Sequence, residues 1–477
     1  MTTLSERNIG PILFFRGFAE ARVHLAALVI QCGNCPAPTV SDDQGPVTAE
    51  PLARCGDIQL LRFQFSLPAR SGAAYRYNGA RYALNADFQN DVRLAFVACN
   101  GKERGDQERD PVVRNVMWRR LGSEHARAAF QLLLHGGDQI YADEMLHAHP
   151  VALDWIQRRD LSPPDAGTLA ILEQRLRADL FQRYAQLYAQ TDPAWLMARV
   201  PSLCIWDDHD ICDGWGSLSA EQLDHPVGHT VFRVARECFL LFQQACTAES
   251  LPPAFLDPTG SSLSWSVQTP GLSIIAPDLR SERRPDRVMG LHGHRALRRA
   301  LHRARGDRIL VLSSVPALGP RLSWVETLLP LVPKLRKYED DLRDQWQSRA
   351  HRVEWQSFLR DLLESHAAPP AAVTVLSGEI HLATRGTLDS AVGPLHQLVS
   401  SGVTHPPPPE AYARGLGWLA RFGASPLPDH RLRLHPLPQR REVYTAERNY
   451  LVVERQRQQW RAAWELEVGG RTPPLLI

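Results

Sequence analysis

Alternating apolar and polar positions in the first ninety residues predict β-strands that are buried on one side. Residues 24–30 form a compact apolar run, and residues 61–67 alternate strictly between apolar and polar side chains. Residues 75–82 carry an Asn-Gly pair, which suits the tight turn of a β-hairpin. The pattern predicts a small β-sandwich-like domain over residues 1–90.

From residue 92 onward, short apolar runs alternate with longer amphipathic segments. Helical spacing of apolar side chains is found over residues 112–129, 169–190 and 231–244. Predicted buried strands include residues 94–100, 131–135, 272–276, 309–313, 373–376 and 396–399, and residues 449–454 and 460–468 predict a closing strand pair. This alternation predicts an α/β domain with a largely buried sheet over residues 91–477. A charged insert over residues 331–344 is expected to be a flap or a peripheral helix.

Three of the predicted strands end in side chains that bind hard metal ions. The segments are residues 132–141 (LLLHGGDQIY), 203–210 (LCIWDDHD) and 373–381 (VTVLSGEIH). Carboxylate and imidazole groups that leave the ends of neighbouring strands can converge on one point, which a single helix or loop cannot arrange. The sequence therefore predicts the dinuclear metal centre of a hydrolase.

Composition narrows the class of protein and of partner. With 54 basic and 52 acidic residues the formal net charge is +2, which gives no general reason to expect nucleic acid or an anionic membrane as partner. No signal sequence, twin-Arg signal or apolar run of membrane-spanning length is present, so a cytoplasmic location is expected. Cys32 and Cys35 form a lone CxxC with only Cys55 nearby, so free thiols are expected rather than a zinc site. The oligomeric state is not predicted.

The motifs resemble, in order, those of the PhoD-like (alkaline phosphatase D-like) branch of the metallophosphoesterases. Members of that branch carry a strand ending in Ser-Cys, then GDxxY, WDDHE, DxR and GDxH. The corresponding residues here are Ala98-Cys99, Gly137-Asp138-Gln139-Ile140-Tyr141, Trp206-Asp207-Asp208-His209-Asp210, Asp278-Leu279-Arg280 and Gly378-Glu379-Ile380-His381. The resemblance covers roughly residues 92–405. It implies a four-layer α/β/β/α sandwich preceded by the small β domain.

The same resemblance implies a set of metal ligands. They are Cys99, Asp138, Tyr141, Asp208, Glu379 and His381, with Asp138 as the carboxylate that bridges two metals. A thiolate and a phenolate on one ion suit iron, so Fe(III) is expected with a second divalent ion, which is Ca, Mn, Zn or Mg.

The implied reaction is hydrolysis of a phosphate mono- or diester by attack of a metal-bridging hydroxide. His209 would protonate the leaving group as general acid, and Arg280 would hold a phosphate oxygen. Asp207 and Asp210 would orient His209 or Asp208. The expected partner is a small-molecule or lipid phosphate ester. Monoester, diester and phospholipid substrates remain open at this stage.

Two departures from the motifs keep other functions open. Asp210 stands where the family has Glu, and Glu379 stands where it has Asp, which moves a ligand oxygen outward by one methylene. One alternative is a non-catalytic binding module on the same fold. A second alternative is a metal-dependent hydrolase of another class of ester.

Overall fold

The computed structural model describes residues 6–101, 109–320, 344–368, 370–421 and 423–477. Of the charged insert predicted over residues 331–344, only the last residue lies within the described part. The strands of that part are β1 (Arg7–Ala19), β2 (Arg22–Cys32), β3 (Val40–Ser41), β4 (Pro46–Val47), β5 (Ala49–Cys55), β6 (Ile58–Pro68), β7 (Ser71–Tyr77), β8 (Ala80–Asn85), β9 (Val92–Val97), β10 (Leu132–Gly136), β11 (Ser202–Ile205), β12 (Trp265–Thr269), β13 (Leu272–Ala276), β14 (Arg308–Ser313), β15 (Ala372–Ser377), β16 (Thr384–Leu388), β17 (Leu395–Val399), β18 (Ala424–Leu427), β19 (His430–His435), β20 (Asn449–Gln456), β21 (Gln459–Leu466), β22 (Gly470–Arg471) and β23 (Leu475–Leu476).

In the described part of the chain, all α-helices follow β9. They are α1 (Pro111–Arg114), α2 (Val116–Arg127), α3 (Pro150–Ile156), α4 (Ala166–Tyr188), α5 (Thr191–Met197), α6 (Ala220–Leu223), α7 (Pro226–Cys238), α8 (Leu291–Arg303), α9 (Arg352–Ala367) and α10 (Glu410–Ala420). None of the described helices combines the length and the apolar character that a membrane span requires.

Two large sheets contain most of the strands. The first has the order β22-β21-β20-β9-β10-β11-β1-β2-β6-β5, with β23 on β21, and the second has the order β12-β13-β14-β15-β17-β16-β19-β18. β9, β10 and β11 run parallel to one another, and so do β13, β14, β15 and β17. Their side chains are buried on both faces, which explains why these strands are continuous apolar runs in the sequence.

The two sheets pack face to face, with helices on both outer faces. Leu134 and Ile205 of the first sheet share one core with Leu312 and Leu376 of the second. A second core joins the first sheet to α2, α4 and α7, and a third joins the second sheet to α8 and α9. This is the four-layer α/β/β/α sandwich that the sequence predicts.

The N-terminal strands form a sandwich-like layer that is continuous with the first sheet. β1, β2, β6 and β5 extend that sheet, and the small sheet β4-β3-β7-β8 packs on them through Tyr75 and Phe65, whose ring centroids are 5.3 Å apart. The turn between β7 and β8 has positive φ at Asn78 (48°) and Gly79 (80°), so the predicted hairpin is confirmed. A domain boundary near residue 90 stays a prediction.

Two predicted helices differ from their sequence pattern. The helix expected over residues 112–129 is divided at Asn115 into α1 and α2. The helix expected over residues 231–244 ends at Cys238 and continues as one π-helical turn, Phe239–Gln243. Apolar periodicity continues through both changes, so it does not reveal them.

Candidate metal centre

The predicted ligands lie where parallel strands of both large sheets end. Cys99 follows β9, Asp138 follows β10, and Glu379 and His381 follow β15. The loops lie side by side, because the Cys99 N–H donates to the Gly137 carbonyl at 3.1 Å. Segments that are far apart in the chain therefore meet at one edge of the molecule.

Four of the predicted ligands have a backbone conformation that L-residues rarely adopt. The φ angles are 55° at Cys99, 57° at Asp138, 64° at Glu379 and 51° at His381. Each such residue costs on the order of 1–3 kcal/mol, and such residues cluster at functional sites. The surrounding structure must therefore hold these four residues in place.

Two glycines allow the strand ends to approach each other. Gly137 has a φ of +103°, and a Cβ there would lie 2.7 Å from the Asp207 Cβ. A Cβ at Gly378 would lie 2.5 Å from the Ala98 Cβ, across the gap between the two sheets. Side chains at either position would push the ligand loops apart.

One group of candidate ligands consists of Cys99, Asp138 and His381, whose ligand atoms lie within 4.8 Å of one another. The Cys99 Sγ is 3.4 Å from the Asp138 Oδ2, and the Tyr141 hydroxyl is 2.9 Å from the His381 Nε2. Burial and the Asp138 carboxylate raise the pKa of Cys99 well above its usual range. A cation at this place would reverse that effect and stabilise the thiolate.

A second group consists of Asp138, Asp207 and Asp208, again with ligand atoms within 4.8 Å. Asp138 and Asp207 are buried, and among the described residues the Asp138 Oδ1 and the Asp207 Oδ2 find no hydrogen-bond partner. A buried carboxylate oxygen without a partner costs free energy, which a bound cation would offset. The donor set of thiol, imidazole and carboxylates fits a metal centre, and Asp138 belongs to both groups.

A third group consists of Asp208, His209 and Asp213. The His209 Nδ1 contacts the Asp143 Oδ2 at 2.8 Å, and its ring stacks on Tyr141 with centroids 4.1 Å apart. Burial lowers the pKa of His209, but Asp143 and Asp208 outweigh it and raise this pKa well above its usual range. The imidazole is thus held in one orientation by a carboxylate on one side and an aromatic ring on its face.

Arg280 is fully buried and donates all of its N–H groups to protein acceptors. Its Nε donates to the Asp207 Oδ1, its Nη2 to Asp208 (3.3 Å) and Asp344 (2.7 Å), and its Nη1 to Asp344 and the Trp215 carbonyl, both at 3.0 Å. No donor is left for a phosphate oxygen. The geometry therefore does not fit the predicted role of Arg280 as a phosphate clamp, and it makes this side chain the support of two candidate ligands.

Asp344 is the acceptor that holds this arginine. Besides Arg280, its carboxylate accepts from the Ser217 hydroxyl (2.6 Å) and forms an ion pair with the Arg283 Nη2 (3.0 Å). Burial opposes the charge of Asp344, but Arg280 and Arg283 hold its pKa well below its usual range. Asp207 and Asp208 are thus linked through Arg280 to a buried network of ion pairs that includes Asp344 and Arg283.

The Glu379 carboxylate does not join any of the three groups found among the described residues. The Gln345 Nε2 lies 2.8 and 2.9 Å from the two carboxylate oxygens of Glu379. The backbone carbonyl of Glu379, in contrast, lies 3.7 Å from the Cys99 Sγ. The prediction that the Glu379 side chain is a ligand therefore does not match this geometry. The side chain, one methylene longer than the Asp of the motif, reaches Gln345 instead.

Asp210 positions the backbone of two ligands rather than the neighbouring side chains. Its Oδ2 accepts from the N–H groups of Asp138 and Asp207, both at 2.9 Å. Its Oδ1 accepts from the Ile140 N–H at 3.3 Å and from the Gln243 amide at 2.7 Å. This corrects the expectation that Asp210 orients the side chains beside it.

Several side chains of the site were not predicted from the sequence. Asp143 had a local signal, because it lies two residues after Tyr141 in the motif segment. Asp344, Gln345 and Gln243 had none. Gln243 reaches the site only because the π-helical turn changes the direction of its side chain at the end of α7.

Comparisons with known proteins agree with this architecture. The sequence model of the family described as PhoD related phosphatase matches residues 62–338. A curated relative, an uncharacterized protein of Saccharomyces cerevisiae, is 24% identical over 427 residues, which cover 75% of this chain and 60% of the relative. The chain thus spans about 60% of the length of that relative.

Among solved structures, that of PhoD aligns with a TM-score of 0.61 and 13% identity, covering 100% of this chain and 90% of PhoD. This likeness supports the fold alone. A dimetal phosphatase from Danio rerio aligns with a TM-score of 0.35 at 11% identity, covering 81% of this chain and 98% of that protein, which is too weak to support a common fold. Because the family match extends over more than half of the sequence, the chain belongs to the PhoD related phosphatase family.

Proposed function

We propose that this protein is a metal-dependent phosphoesterase that hydrolyses a phosphate mono- or diester. The observation that carries the proposal is the position of Asp138, which belongs to two groups of candidate ligands and has a buried Oδ1 without a partner among the described residues. Membership of a phosphatase family supports the reaction class.

Two sets of side chains would hold the ions. Cys99, Asp138, Tyr141 and His381 form a set with thiol, phenol and imidazole donors, which suits Fe(III). Asp138, Asp207 and Asp208 form an all-carboxylate set, which suits a hard divalent ion such as Ca, Mn or Mg. Bound ions would lower the pKa of an attacking water and neutralise charge on the phosphate oxygens.

His209 would give a proton to the leaving alkoxide. Its Nδ1 is bonded to Asp143, so its Nε2 is the nitrogen that would face the substrate. The stacked Tyr141 ring would fix the orientation of the imidazole plane. A charged imidazolium between acidic side chains is the protonation state that a general acid requires. Asp143 is then the positioning residue of this step.

Arg280 and Asp344 would act through other residues. Arg280 orients Asp207 and Asp208 by hydrogen bonds and balances their charge, and Asp344 holds Arg280. In this proposal Asp207 is itself a ligand, since it belongs to the group with Asp138 and Asp208 and its Oδ2 finds no hydrogen-bond partner among the described residues. Glu379 remains outside the set of ligands.

The test is turnover by purified protein loaded with iron and a divalent ion. The substrates are p-nitrophenyl phosphate, bis(p-nitrophenyl) phosphate and p-nitrophenyl acetate, and the variants are Asp138→Asn and Asp165→Asn. Asp165 is an exposed helix-capping residue, so Asp165→Asn is the matched control. We expect phosphate-ester turnover that is lost in Asp138→Asn and retained in the control. Turnover of the acetate alone, or equal activity of Asp138→Asn, would refute the proposal.

A further inference from the structure

A cavity of about 160 Å³ opens directly beside the candidate ligands. Asp138, Asp208, His209 and His381 are among the residues that line it. The remaining wall is largely apolar and includes Leu318, Ile380, Leu382, Val399, Leu416 and Tyr444. The cavity therefore combines candidate ligands, where a phosphate would react, with an apolar wall.

The apolar wall contains buried side chains. Leu318, Leu382 and Val399 are at most 2% exposed and come from the second sheet and the loops at its edge. Leu416 of α10 and Pro408, from the four-proline run before that helix, also belong to the wall.

The charge of the lining restricts what can enter. Among the described residues that line the cavity there is neither Lys nor Arg, whereas Asp208, Asp213 and Glu379 contribute acidic groups. None of these described lining residues would therefore give a cationic partner to a second phosphate or a carboxylate on the alcohol part of a substrate. Burying an unpaired charge in this way is costly.

We propose that this cavity binds the alcohol part of the substrate, and that the substrate is a phosphate ester of an uncharged, apolar alcohol. This inference rests on the proposed phosphoesterase function. His209 lines the same cavity, so the leaving oxygen would lie between the general acid and the apolar wall. An apolar cavity of roughly 150 Å³ holds one benzene-sized molecule. Because this cavity must also hold the phosphate, the alcohol is limited to fewer than about six carbon atoms.

The first experiment compares alkyl phosphates of increasing chain length, from methyl to octyl, with glucose 6-phosphate. All have primary alkoxide leaving groups of similar basicity, so kcat/KM reports binding of the alcohol part. Each buried methylene should raise kcat/KM about four-fold until the cavity is full, so the gain should reach a plateau before six carbons and stay below about 1,000-fold. Glucose 6-phosphate should be no better than methyl phosphate.

The second experiment changes the cavity away from the ligands. Leu416→Trp adds a large ring to the apolar wall, and Ala411→Trp adds the same ring at an exposed position of the same helix. We expect Leu416→Trp to reduce the ratio of kcat/KM for hexyl phosphate to that for methyl phosphate toward one. Ala411→Trp should behave as the parent.

Binding of alkylphosphonates, measured by calorimetry, separates failure of this inference from failure of the proposed function. Hexylphosphonate binding more tightly than methylphosphonate, with the preference lost in Leu416→Trp, supports the cavity assignment even if no ester is turned over. Equal binding of the two phosphonates, or turnover of glucose 6-phosphate equal to that of hexyl phosphate, overturns it. Turnover without chain-length dependence would leave the phosphoesterase function standing and the cavity assignment refuted.

Discussion

Replacing Asp210 by Asn tests whether this carboxylate holds the metal centre together. Asp210 is 1% exposed and accepts four hydrogen bonds, from the N–H groups of Asp138, Ile140 and Asp207 and from the Gln243 amide. Burial raises the pKa of Asp210 to about 7, while these donors favour its ionised form, so the experiment belongs at pH 8.

The magnitude follows from the number of acceptors that are lost. An Asn side chain keeps one oxygen and turns an NH₂ group toward two of the four donors. Two buried donors without an acceptor cost about 1–3 kcal/mol each, so the variant should lose about 4 kcal/mol of stability. With an unfolding entropy of about 2 cal/mol/K per residue, this corresponds to a fall in Tm of about 4 °C for a chain of 477 residues.

The assay is differential scanning calorimetry of metal-loaded Asp210→Asn, with Asp165→Asn as the exposed control. Metal retention during dialysis is measured in parallel, because the loosened backbone of Asp138 should weaken metal binding about 10- to 100-fold. A Tm within about 1 °C of the parent, together with unchanged metal retention, would show that Asp210 does not hold the site.

Three further predictions concern the site and its support. Asp138→Asn should lose most of the bound metal in elemental analysis of purified protein, and full retention would exclude it as a ligand. Asp143→Asn should lower kcat about 10- to 100-fold with little change in KM, because the partner of the His209 Nδ1 loses its negative charge, and an unchanged kcat would argue against this pairing. Burial lowers the pKa of His135 from 6.5 to about 4, so as pH falls the unfolded state binds the proton first. The contribution of His135 to the free energy of unfolding is therefore fully present above pH 6.5. This contribution decreases by about 3 kcal/mol as the pH falls to 4. The variant His135→Gln should flatten this part of the dependence of Tm on pH, and an unchanged profile would contradict the shift.

Local patterns predicted the elements whose burial is regular along the chain. β10 is buried at every position and begins with three leucines, and α4 buries Leu172, Leu176 and Leu180 at helical spacing. The Asn-Gly hairpin between β7 and β8 has a local steric cause. The π-helical turn after α7 could not be predicted, because its side chains are as apolar as those of an ordinary buried helix.

The sequence by itself determined which residue types end the central strands, and hence that carboxylates, a thiol and imidazoles meet at one edge of the two sheets. Only the tertiary structure decided what each side chain does there. Arg280 gives its donors to protein acceptors, and the Glu379 carboxylate is held by Gln345. Both partners of these contacts, Asp344 and Gln345, belong to a part of the chain without any motif. The spacing of the motifs predicts the order in which the strand ends follow one another along the chain. It does not predict the direction of a buried polar side chain, because that direction depends on the hydrogen-bond partner that packing places beside it.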